Sequence, residues 1–151
     1  MMSVINPNES SRSWHQHSRV PSVQLYLAEG NGSAGALVGQ RAAGFPLTVQ
    51  PCAPDAKIDP SGLAGLGAAI VEVAADSPAS IKRFETLAKK GRTPLIAAVY
   101  EPPLALVRAL IRAGAHDVLP LPLDMAEIEA ALAPLRDRLG EGTAVDPILS
   151  R

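Results

Sequence analysis

At 151 residues the chain has the length of one domain and enough residues to bury a core of ordinary density. Fourteen basic residues against fifteen acidic ones leave a formal net charge of −1, so no global field would draw nucleic acid or an anionic membrane surface. The single cysteine, Cys52, excludes an internal disulfide and fits a reducing compartment, and no histidine stands close to it in sequence to activate it as a nucleophile. The N-terminus shows no basic segment followed by an apolar run. No stretch reaches the ~18 apolar residues of a spanning helix, so the cytoplasm is the expected location.

Residues 1–20 are polar and are expected to form a flexible leader, with Trp14, His15 and His17 read as incidental rather than as a metal patch. Val23 to Glu29 alternates and then turns apolar, which predicts a first strand. A glycine-rich turn, Gly30 to Gly35, leads into a helix expected from about Ser33 to Ala43. The turn is a literal GxGxxG, whose glycines would let backbone N–H groups approach a pyrophosphate. The matching ribose-binding acid should end the second strand, yet Pro46 to Ala53 ends without one and Asp55 comes only after Pro54. A plain turn is the simpler reading, and a nucleotide-binding domain built on Gly30–Gly35 is the alternative.

Asp59-Pro60 has the chemistry of a helix start and predicts a short helix to about Leu66. Ala68 to Ala75 is a third strand, apolar except for Glu72. That carboxylate should lie at the C-terminal end of the strand, where open α/β sheets place their sites. Ser77-Pro78 begins a helix with Ile81, Phe84, Leu87 and Ala88 at helical spacing, closed by Lys89-Lys90 and Gly91. Thr93 to Tyr100 is a fourth, wholly buried strand; Pro102 and Pro103 then open a helix that ends at Gly114. His116 to Leu123 is a fifth strand broken by Pro120 and Pro122. Asp124 and Glu127 have capping-box spacing before a last helix, which Pro134 should kink or end, and residues 140–151 are expected to be a linker tail. Five strands alternating with five helices, joined by right-handed crossovers, predict an α/β three-layer sandwich. Its five-stranded parallel sheet is most simply of order 2-1-3-4-5.

One helix carries more apolar surface than a sheet face can cover. Around the Pro103–Ala113 helix, Arg108 and Arg112 take one sector, while Leu104, Leu106, Val107, Leu110 and Ile111 spread round the rest. With Met125 and Ile128 of the last helix they form a candidate interface, where the excess would meet another chain.

The phrase Gly114 to Asp124, GAHDVLPLPLD, resembles the closing segment of two-component response-regulator receiver domains, where "AGADDYLxKP" carries the fifth strand into the fifth helix. The resemblance covers about Val23 to Leu139, taken as a domain spanning 21–139, and implies the CheY/flavodoxin-like form of the sandwich. A working receiver needs an acidic pair after its first strand, an aspartate after the third, a hydroxyl after the fourth and a lysine after the fifth. Matched by strand, those positions hold Ala28-Glu29, Glu72, Val99 and Leu121. Glu29 and Glu72 alone fall short of the oxygen ligands that Mg²⁺ asks for, and a glutamate sets its oxygen about a bond length off line. Leu121 cannot neutralise a phosphoryl group. The chain is therefore expected to be non-phosphorylatable, without metal, cofactor or enzymatic activity. Asp76 is a displaced acceptor only in principle, since it reads as a strand terminator. A phosphorylation-dependent receiver acting in signal transduction remains the other alternative.

Among receivers with such a degenerate site, the phrase LVRALIRAGAHDVLPLPLD and the tail GEGTAVDPILSR resemble the N-terminal atypical receiver of TadZ/CpaE pilus-assembly proteins. In that family the tail leads to a ParA/MinD-like ATPase, a partner domain for which this chain holds no GxxxxGK[ST] motif. The resemblance implies a protein-interaction and localisation module of a Flp/Tad pilus-assembly protein. Such a module would form a homodimer through its fourth helix, fifth strand and fifth helix, or dock on pilus-assembly proteins, at the cell pole or the inner face of the membrane.

Overall fold

The computed structural model describes residues 21–28 and 34–149. In chain order they form β1 (Val23–Leu27), α1 (Ala34–Leu37), β2 (Arg41–Ala42), β3 (Phe45–Pro51), a 3-10 turn (Pro60–Leu63), β4 (Ala68–Glu72), α2 (Pro78–Lys90), β5 (Leu95–Tyr100), α3 (Leu104–Ala113), β6 (Asp117–Leu121) and α4 (Met125–Leu149). The leader 1–20, Glu29 and residues 30–33 of the glycine-rich turn lie outside the described residues.

The sheet has six strands in the order β2-β3-β1-β4-β5-β6. Every neighbouring pair from β3 to β6 is parallel, with registers such as Leu25↔Val49, Leu25↔Ile70, Val71↔Ala97 and Ala98↔Leu119. The expected sheet of five strands, all parallel, is corrected at one edge, where β2 pairs antiparallel with β3 through Arg41↔Pro46 and Ala42↔Phe45. Ala43 (φ 51°) and Gly44 (φ 86°) connect them as a two-residue hairpin turn with both φ positive. The expected Ser33–Ala43 helix thereby shortens to Ala34–Leu37. The Asp59–Leu66 helix is likewise a single 3-10 turn, begun as read: Asp59 Oδ1 accepts from the Ser61 N–H at 3.0 Å, and Ser61 holds that carboxyl below its usual range.

Side-chain alternation along the buried strands feeds two cores. On one face Leu25, Ile70, Ile96 and Leu119 meet Leu37 of α1 and Ile128, Leu132 and Leu135 of α4. On the other, Tyr26, Val71, Ala97 and Val99 meet Leu63 of the 3-10 turn, Phe84 and Leu87 of α2, and Leu110 of α3. Both helices of the second face start and stop as their sequence dictates. Ser77 Oγ accepts from the Ser80 N–H at 3.2 Å ahead of Pro78, and Gly114, at φ 122°, turns its N–H back to Ile111.

Pro134 neither kinks α4 into two elements nor ends it, and the expected linker tail is helical as far as Leu149. Pro134 and Ala130, the residue whose carbonyl it leaves without a donor, are both exposed, so water can take the freed acceptor. On the packed side, Leu135 continues the apolar stripe of Ile128 and Leu132 into the core.

Candidate functional site at the strand ends

The C-terminal ends of β4, β5 and β6 carry three of the receiver-matched positions, Glu72, Val99 and Leu121, and set them in different surroundings. Glu72, the last residue of β4, is 9% exposed, and its Oε1 accepts from the Ala28 N–H at 2.9 Å. A parallel strand that ends in a loop leaves its next N–H without a ladder partner, and here the carboxylate takes it. The carbonyl of Glu72 is held as well, by Arg83 Nη2 at 2.9 Å. Glu72 pairs in register with Ala98 on β5, so Val99, one residue on, projects into the opposite core and is fully buried. Leu121 closes β6 at 6% exposure, ahead of a cis peptide bond to Pro122, and packs in the core beneath α4. Asp76 is exposed in the turn before α2. Among the described residues no three His, Cys, Asp or Glu side chains gather as a metal site would require. Glu29 lies outside the described residues.

Sequence reasoning passed over Arg83. From the second turn of α2 its Nη1 donates to the carbonyls of Ala53 at 2.8 Å and Ala56 at 2.6 Å and approaches Cys52 Sγ at 3.5 Å, while its buried Nε finds no partner among the described residues. One guanidinium thus ties the loop after β3 to the end of β4, a task that suits a planar fork of donors. The signal available in sequence was an arginine beside the buried Phe84 on the inward half of an amphipathic helix.

The candidate interface divides. Leu110 and Ile128 are both 0% accessible, in opposite cores, and are corrected to core residues. Each lies at the helix position that faces the sheet, which periodicity alone could not distinguish for Leu110 on so evenly apolar a helix as α3. Leu106 and Met125 are partly buried against the two cores, and Val107 is half-buried. Leu104 (63% exposed) and Ile111 (45%) stand out of α3, and Tyr100 (58%) stands out of the end of β5. Leu104 and Ile111 are seven residues apart, so they share one side of the helix, with the exposed Arg108 between them.

No family model matches the chain, and no curated protein matches it in sequence. Solved structures do match. The pilus assembly protein CpaE from Caulobacter crescentus superposes with a TM-score of 0.60 at 17% identity, over 78% of this chain and 94% of that one. A response regulator from Thermotoga maritima gives 0.54 at 14% identity, over 78% and 99%. The response regulator protein from Burkholderia multivorans gives 0.57 at 18% identity, over 77% and 95%. No helix among the described residues is long and apolar enough to cross a membrane. At these identities the likeness speaks for architecture, and it does so from two directions at once: the chain carries a receiver-like, CheY-like fold of the kind solved both for response regulators and for CpaE pilus assembly proteins.

Proposed function

We propose that this chain is a non-phosphorylatable, non-enzymatic receiver-like module that places a Flp/Tad pilus-assembly protein by contact with other proteins. The observation that carries the reading is the state of the strand ends. The side chain at the phosphoacceptor position is committed to the Ala28 N–H, and the positions that would sense and neutralise a phosphoryl group are the buried Val99 and Leu121. A receiver fold with that chemistry removed keeps its surfaces. The surface in view is the exposed side of α3 with Leu104 and Ile111, together with the exposed Tyr100 at the end of β5. Half-buried Leu106 and Val107 lie on the same helix and half-buried Met125 lies on α4 against the opposite core, and a second copy of the chain or another pilus-assembly component is the partner that fits. The cytoplasmic side of the membrane, including the cell pole, is where such a module would act, beside a ParA/MinD-like ATPase.

The test is the molar mass of the chain by light scattering after size exclusion, across a range of concentrations. The expected result is a concentration-dependent dimer that Leu104→Glu or Ile111→Glu shifts to monomer while the circular dichroism stays unchanged. A monomer at every concentration that also captures no pilus-assembly component through this face would overturn the reading.

A further inference from the structure

Receiver-type alternation calls for a helix between β3 and β4, and this chain puts an extended loop with one 3-10 turn there. A cavity of about 340 Å³ opens between the loop and α2. Three of the four lysines in the chain line it: Lys57 from the loop, Lys82 and Lys90 from the helix. Asp55 is the one carboxylate in its wall. On a chain whose formal charge is −1 this is a local concentration of positive charge, made by three exposed lysines that line one cavity.

The geometry of α2 makes the convergence systematic. Lys82, Thr86 and Lys90 follow one another at four-residue steps, so they lie on one side of the helix with Thr86 between the two lysines. The two lysine Cα atoms are about 12 Å apart along the axis, within reach of a shared centre for side chains of that length. Lys57 faces them from across the cavity. Arg83 is also in the wall, but its guanidinium is spent on the loop carbonyls, so it holds the loop in place and leaves an incoming charge to the lysines. Half-buried Ile58 and buried Leu87 give the cavity an apolar side.

We propose that this cavity binds a phosphate-bearing ligand of small-molecule size, its phosphate held by Lys57, Lys82 and Lys90 and its body lying against Ile58 and Leu87. Lysine suits the task as a compact point charge with rotatable donors, the volume matches small-ligand pockets, and Thr86 supplies an orienting hydroxyl. Neither Glu72, Val99 nor Leu121 lines the cavity.

The experiment is a titration of the ¹⁵N-labelled full chain with AMP and with inorganic phosphate, read by amide shifts, beside flotation with phosphatidylcholine vesicles with and without phosphatidic acid. The expected result is saturable shifts in the 57–60 loop and along 82–90. Lys82→Ala and Lys90→Ala should each weaken binding about tenfold, and raised salt should weaken it further. Lys89→Ala, the same loss of charge one position outside the cavity, should stay within about twofold of the parent. Saturation by AMP or phosphate identifies a free phosphorylated compound, and flotation only with phosphatidic acid identifies a lipid headgroup. The absence of saturable binding to either soluble probe and to acidic vesicles would overturn the proposal, as would a Lys89→Ala variant that weakens binding as much as its neighbours do.

Discussion

Glu72 shows how one side chain can be read correctly for place and only in part for purpose. The sequence located it at the C-terminal end of a buried strand because an unpaired carboxylate inside that strand would be too unfavourable. Its partner was not legible, since the Ala28 N–H comes from a residue 44 positions away. Arg83 was silent for the same reason: apart from the long approach to Cys52 Sγ its acceptors are backbone carbonyls, and these leave no mark on residue identity. Two consequences can be measured. Glu72→Ala strips the Ala28 N–H of its acceptor and should lower stability by about 1–3 kcal/mol in chemical denaturation, whereas Glu72→Gln keeps an acceptor oxygen and should lose less. Glu72→Asp restores the residue type of a phosphorylated receiver, yet with Val99 and Leu121 unchanged it should take up no label from acetyl phosphate and Mg²⁺. Stable labelling of that variant would show that the surrounding positions are competent after all.

Elements were legible wherever burial was uniform and obscured wherever local geometry prevailed. The apolar runs of β1, β4, β5 and β6, the Ser77-Pro78 start of α2 and the Gly114 stop of α3 all follow from the physics that the sequence displays. The β2–β3 hairpin did not, because its turn is Ala43-Gly44 rather than the Asn-Gly or Asp-Gly that announces one. What secures the turn comes from far along the chain: Arg136 of α4 donates to the Ala43 carbonyl at 2.6 Å, and Arg41 donates to that of Gly44 at 3.0 Å. A Cβ on Gly44 would meet the Arg136 guanidinium in addition to being strained at φ +86°. Gly44→Ala should therefore lower stability by about 1–2 kcal/mol, and combining it with Arg136→Ala should give less than the sum of the two, since both break one contact. Additive losses would mean that the guanidinium and the turn act independently.

For the whole molecule, the prediction concerns where stability resides. Strands β1, β4 and β5 are covered on both faces and flanked by paired strands, whereas β2 is two residues long and its first residue is exposed. Native-state hydrogen exchange should accordingly be slowest for amides such as those of Leu25, Ile70 and Ala97, and faster by orders of magnitude at the edge hairpin. Equal protection at the hairpin and at the sheet centre would show that Arg136 couples the edge to global unfolding.

The hydrogen bond between Glu72 and Ala28 also bears on how such a module would be regulated. In a switchable receiver the strand ends are where a covalent signal enters; on the function proposed above, none enters here, where the Glu72 carboxylate is engaged by the Ala28 N–H. A surface with no modification to tune it has a fixed affinity, and its occupancy then follows mass action alone. Copy number, and the local concentration achieved by tethering to a larger assembly, would set when contacts form. Control would pass from a kinase to gene dosage and geometry.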